Sequence, residues 1–72
     1  MKVHNVMAGR FRKRLSEQRV LAGLSQDQLG KALGVSGVYV LYLERGDRSP
    51  SMEMIEKCAR YFKLDPSRMV AP

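Results

Sequence analysis

Apolar positions recur every three to four residues along almost the whole chain, and no alternating pattern competes with that spacing. Met7, Phe11, Leu15 and Ala22 share one stripe, which predicts a first helix starting near Asn5, a good N-cap residue, and ending at Gly23. Ser25-Gln26-Asp27-Gln28 reads as a capping box that opens a second helix, with the serine capping and Gln28 reaching back. Leu29, Ala32 and Leu33 give that helix its apolar face, and Gly34 stops it. Ser36 caps a third helix with Val40 and Leu43 turned inward and Gly46 at its end. Gly37, Val38 and Val40 lower the helix propensity of this segment, so tertiary contacts must hold it. After the turn Asp47-Arg48-Ser49-Pro50, Ser51 caps a fourth helix carrying Met52, Ile55, Cys58, Ala59 and Phe62, which Lys63 and Leu64 end. Asp65-Pro66 supplies a cap and a first helical residue for a last single turn with Arg68, Met69 and Val70.

A chain of 72 residues makes one domain, 1–72, whose core alone is only marginally stabilising. Cys58 is the only cysteine, which excludes an internal disulfide, and in an apolar helical pattern it reads as a small buried hydrophobe. His4 is the only histidine, far from Cys58 in sequence and expected to be solvated near the terminus, so no metal site is expected. Stability must come from helix packing, helped by self-association. No nucleophile–base pair and no glycine-rich phosphate loop is present; the expectation is no enzyme, no catalytic residue and no cofactor. The longest apolar run, Val38 to Leu43, falls far short of the ~18 residues of a membrane span. No signal peptide is visible, and a single thiol fits a reducing compartment, so a cytoplasmic protein is expected.

The formal charge of +6 suits nucleic acid or an anionic membrane surface. It is concentrated at the start: Lys2, Arg10, Arg12, Lys13, Arg14 and Arg19 face Glu17 alone within the first 22 residues. Arg10, Arg12, Lys13 and Arg14 span a full helical turn, so only one or two of them can face a single partner. A membrane-surface role for this segment is disfavoured, because the core needs its apolar stripe.

Two short helices joined by a tight glycine turn, Gln26–Leu33 and Gly37–Arg45, form a helix-turn-helix pattern. The chain resembles the Cro/repressor-type (XRE-like) helix-turn-helix family of phage repressors and bacterial regulators. The resemblance runs from about Met7 to Val70. It is carried by Leu15 and Arg19, by Gly23-Leu24-Ser25-Gln26 with Leu29, by Leu33-Gly34-Val35-Ser36, by Leu43-Glu44-Arg45-Gly46 and by Pro50-Ser51. It implies an all-α, compact five-helix repressor-type domain with the motif at about 25–45. It also implies a transcriptional regulator, a repressor, with its third helix in the major groove of double-stranded DNA.

The same resemblance assigns roles. Leu24, Leu29, Leu33, Val35, Val40 and Leu43 are core, and Arg19 pairs with Glu44. Gln26, in the first turn of its helix, would grip a phosphate with nearby backbone N–H groups. Ser36, Gly37, Val38 and Tyr42 occupy base-reading positions, and Tyr39 packs inward and offers its hydroxyl to a phosphate. Arg45 and Arg48 would contact the backbone, with Ser49 a weaker candidate and Asp47 opposing them locally. Many relatives carry glutamine, arginine, asparagine or lysine where this chain has Gly37, Val38, Leu41 and Tyr42, so bidentate base contacts are scarce. Val38 could instead touch a thymine methyl. Leu41 is left as an exposed apolar residue without a role.

One such domain makes few base contacts, so a homodimer on a palindromic operator is expected. Its interface is expected in Phe62–Val70, where Leu64, Met69 and Val70 exceed what a single turn needs, with Leu41 a second contact or a site for a protein partner; the alternative is that these residues close the monomer core. The competing functions are an antitoxin or a protein-interaction module on the same fold with weak DNA binding. A bacterial or phage origin is expected.

Overall fold

The computed structural model describes residues 5–72. It folds into five helices: α1 (Asn5–Leu21), α2 (Gln26–Leu33), α3 (Gly37–Arg45), α4 (Met52–Tyr61) and α5 (Pro66–Met69). Lys2 and the solvated His4 of the sequence reading lie outside the described residues, as does the Asn5 side chain expected to cap α1. α2 packs on α3, α1 lies against α3 and α5, and α4 closes the fold against α2 and α5.

Local signals set the helix ends. Ser25 accepts from the Gln28 backbone N–H at 3.0 Å while the Ser25 N–H donates to Gln28 Oε1 at 2.8 Å, so both halves of the capping box are made. Ser36 and Ser51 accept from the backbone N–H of Tyr39 and Met54. Asp65 accepts from both the backbone and the hydroxyl of Ser67, which holds its carboxyl below the usual range. At the other end of α2, Gly34 adopts φ 76°, and Val35 N–H reaches back to the Gly30 carbonyl at 2.8 Å. This left-handed closure satisfies carbonyls that the helix leaves unpaired. Gly23 and Gly46 close α1 and α3 in the same hand, and Lys63 does so after α4 without being glycine.

The core is Phe11 and Leu15 from α1, Leu29 and Leu33 from α2, Val40 and Leu43 from α3, Ile55, Cys58 and Ala59 from α4, and Met69 from α5. Each large side chain buried this way contributes about 1.5–3 kcal/mol. Leu24, Val35, Tyr39, Phe62 and Leu64 pack on it, half-buried. Four expected inward positions differ. Ala22 falls beyond the last turn of α1, which ends at Leu21, and is exposed. Ala32 is exposed because the buried face of α2 is the narrow strip of Leu29, Gly30 and Leu33. Met7 and Met52 sit in the first turns of their helices, where they rim a surface groove instead of entering the core. Leu41, expected to be exposed, is half-buried. Met69, offered as an interface residue, is fully enclosed in the core.

Candidate nucleic-acid interface

α2 and α3 approach each other with almost no space between their backbones. Gly30 is buried in α2, and a β-carbon there would come within 2.8–2.9 Å of backbone atoms of Val35, Ser36 and Gly37. A β-carbon on Gly37 would come 2.8 Å from the Asp27 α-carbon and strike the Asp27 carboxylate. Two glycines facing the same crossing let the turn close tightly, and this offsets the helix propensity lost at Gly37.

A polar network holds α3 from behind. Arg19 Nε donates to Glu44 Oε2 at 2.6 Å and Nη2 donates to Oε1 at 3.1 Å, a bidentate pair. Arg19 Nη1 donates to the Leu24 carbonyl at 2.9 Å, so the same guanidinium ties α1, the turn before α2, and α3. Gln26 Nε2 adds a third bond to Glu44, at 3.2 Å. The side chains of Arg19 and Glu44 are 17% and 8% exposed. The hydrogen bonds to Glu44 raise the Arg19 pKa above its ordinary value despite the cost of desolvation. Paired in this way, the two charges fix orientation more than they add net stability.

The outward face of α3 carries different chemistry. Val38 is 54% exposed and Tyr42 36% exposed, next to each other one turn apart. Ser36, exposed at the helix start, uses its oxygen as an acceptor for the Tyr39 N–H and keeps its own O–H to donate. Tyr39 is half-buried and packs on the core. At the far end Arg45 is exposed and pairs with Asp47 at 3.2 Å. Arg48 is exposed on a loop anchored by the buried Pro50.

The helix-turn-helix family model matches residues 15–68, three quarters of the chain. The chain belongs to the helix-turn-helix family. An uncharacterized helix-turn-helix-type transcriptional regulator of Archaeoglobus fulgidus is 37% identical over 52 residues, covering 72% of this chain and 74% of the relative. The transcriptional repressor RstR of the cryptic phage CTXphi, from Vibrio cholerae, is 28% identical over 61 residues, covering 85% of this chain and 55% of that protein. Among solved structures, the restriction-modification controller protein C.AhdI of Aeromonas hydrophila superposes with a TM-score of 0.77 at 35% identity, over 86% of this chain and 94% of its own.

Within this helix-turn-helix fold the candidate residues divide into two groups. Ser36, Val38, Tyr42, Arg45 and Arg48 are exposed and follow one another along α3 and its loop, whereas Gly37 and Tyr39 are half-buried. Gln26 is half-buried, and its amide already donates to Glu44, leaving its second N–H for a ligand. The bond between Gln26 and Glu44 has no signal in the sequence: the residues are 18 apart and lie on different helices. Gln28, read as a capping partner, holds that role. No described helix is long and apolar enough to cross a membrane, and no cluster of potential metal ligands occurs among the described residues.

Proposed function

We propose that this chain is a DNA-binding transcriptional regulator, a repressor, that inserts α3 into the major groove of double-stranded DNA. The observation that carries this reading is the two-sidedness of α3. Val40 and Leu43 are locked in the core, while Val38 and Tyr42 face outward, with Arg45 at the end of α3 and Arg48 in the following loop. The matched family and the regulators and repressor named among its relatives support the same reading. Ser36, Val38 and Tyr42 touch bases; Gln26, Tyr39, Arg45 and Arg48 touch the backbone; Gly37, placed at a base-reading position by the family resemblance, lets α3 start tight against Asp27 of α2. Regulation of transcription, not catalysis, is the function.

The working form is a homodimer on a palindromic site with half-sites about one helical turn apart. With Met69 spent in the core, the surface left for a second copy is the apolar groove of Met7, Met52, Ile55, Pro66 and Val70. The compartment proposed for this work is the cytoplasm, with a bacterial or phage gene as its source. Leu41, offered as a contact for a protein partner, is half-buried, while Val38 keeps an apolar side chain exposed on α3.

Selection of bound sites from random duplexes, followed by sequencing, tests the reading. A two-fold-symmetric consensus supports it, and no enrichment over input DNA refutes it. Sedimentation at saturating protein separates the dimer from the rest: one protomer on a duplex with two half-sites removes the dimer and keeps the DNA binding.

A further inference from the structure

Of the four bases clustered on α1, Arg12 has a distinct position. Its Nη1 donates to the Arg45 carbonyl at 3.3 Å, at the C-terminal end of α3. Gly46 follows with φ 84°, its bare α-carbon laid against the same guanidinium; a β-carbon there would collide with Arg12 Nη1. Arg12, Gly46, Arg48 and Ser49, with Ala8 and Gly9 as a floor of small residues, line a notch of about 230 Å³. Among the described residues no acidic side chain lines it, and the neighbouring Asp47 pairs with Arg45. Arg10, Lys13 and Arg14 line a separate cleft with Glu17 and the tail residues Ala71 and Pro72.

We propose that Arg12, Arg48 and the Ser49 hydroxyl clamp one DNA backbone phosphate at the C-terminal end of α3, which makes Arg12 the member of the α1 basic cluster that faces DNA. The proposal rests on the reading of α3 as the helix that enters the major groove. A helix lying in the groove leaves it past the sugar-phosphate chain, so a phosphate arrives at this end. The Arg45 carbonyl occupies one N–H of Arg12 and orients the fork. A guanidinium has five N–H donors, so the rest stay available for a phosphate oxygen. Arg48 supplies the second positive charge and Ser49 a neutral donor. The bond to Arg45 thus pre-orients a long side chain that would otherwise lose rotamer freedom on binding.

The test is fluorescence anisotropy of the full chain on a nonspecific duplex between 50 and 200 mM salt, with melting curves to check folding. Arg12→Gln should lower the slope of log affinity against log salt by about 0.9, the value of one lost phosphate contact, and Arg12→Lys should keep the slope. Arg10→Gln should leave it unchanged. Ser49→Asp places a carboxylate in the notch without touching the Arg12 bond to Arg45, and it should weaken binding severalfold. A parental slope in Arg12→Gln while Arg48→Gln lowers it would overturn the clamp: Arg12 then only caps α3, and the DNA reading stands. Unaltered binding by Ser49→Asp would overturn it equally. Absence of salt-dependent duplex binding by the parent chain would instead bring down the DNA reading itself.

Discussion

Asp27 lies against the backbone of Gly37 so closely that a β-carbon at position 37 would meet its α-carbon at 2.8 Å as well as its carboxylate. The carboxylate can swing away, but the α-carbon belongs to α2 and cannot. Gly37→Ala should therefore push the start of α3 off α2, at an overpacking cost of about 1–3 kcal/mol. Gly30→Ala should cost at least as much, because every atom in its way is backbone. Thermal melts check both: each lost kcal/mol lowers Tm by about 4–8 °C in a domain of this size. Wild-type melting of both variants would show that the crossing is looser than described.

Glu44 is the acceptor for both Arg19 and Gln26. Glu44→Ala leaves the Arg19 guanidinium largely buried without its partner, and about 3 kcal/mol of stability should be lost. Replacing both charges, Arg19→Met with Glu44→Leu, should recover much of that loss in urea unfolding. If the double variant is no more stable than Glu44→Ala, the cost does not come from the stranded charge.

Val38 offers α3 an apolar contact with a major-groove methyl. Replacing thymine by uracil at the base it touches removes only that methyl, at a cost of about 0.8 kcal/mol, or roughly fourfold in affinity. Val38→Ala should erase the difference between the two duplexes. Titration of paired duplexes with and without the methyl reads this directly, and equal affinities for the parent chain would remove Val38 from base reading.

Burial pushes the Cys58 thiol up to about 12 from 9.0. Its sulfur also points at Met54 Sδ, 3.8 Å away. The folded state thus disfavours the thiolate, so this contribution to stability is complete below pH 9.0 and is lost as pH rises toward 12. Two outcomes are expected: alkylation at neutral pH that proceeds only as fast as the chain unfolds, and a loss of stability in alkali that Cys58→Ala reduces. Rapid labelling of the native protein would contradict the burial.

Helix order, caps and stops were legible in the chain because they are local. A serine three residues before its N–H partner, a glycine after the last turn, or an aspartate before proline acts within a few residues of itself. Most of the core was legible for the same reason, since Phe11, Leu15, Leu29, Leu33, Val40 and Leu43 follow the helical period. The bidentate pair of Arg19 and Glu44 was expected only through resemblance to a family, because no spacing rule joins residues 25 apart. Tertiary structure decided the rest. Periodicity says which side of a helix is apolar but not how far each neighbour extends, so it misplaced Ala22, Ala32, Met7 and Met52, which lie at helix ends or beside a narrow contact. Met69 escapes a local reading because the core that encloses it is built from the other helices, and Leu41 is half-buried where the helical pattern predicts exposure. The same holds for Gly37 against Asp27, Gln26 on Glu44 and Arg12 on Arg45, three contacts between helices that depend on where the axes cross. The crossing is set by the packed volume of the whole core, which no window of sequence contains.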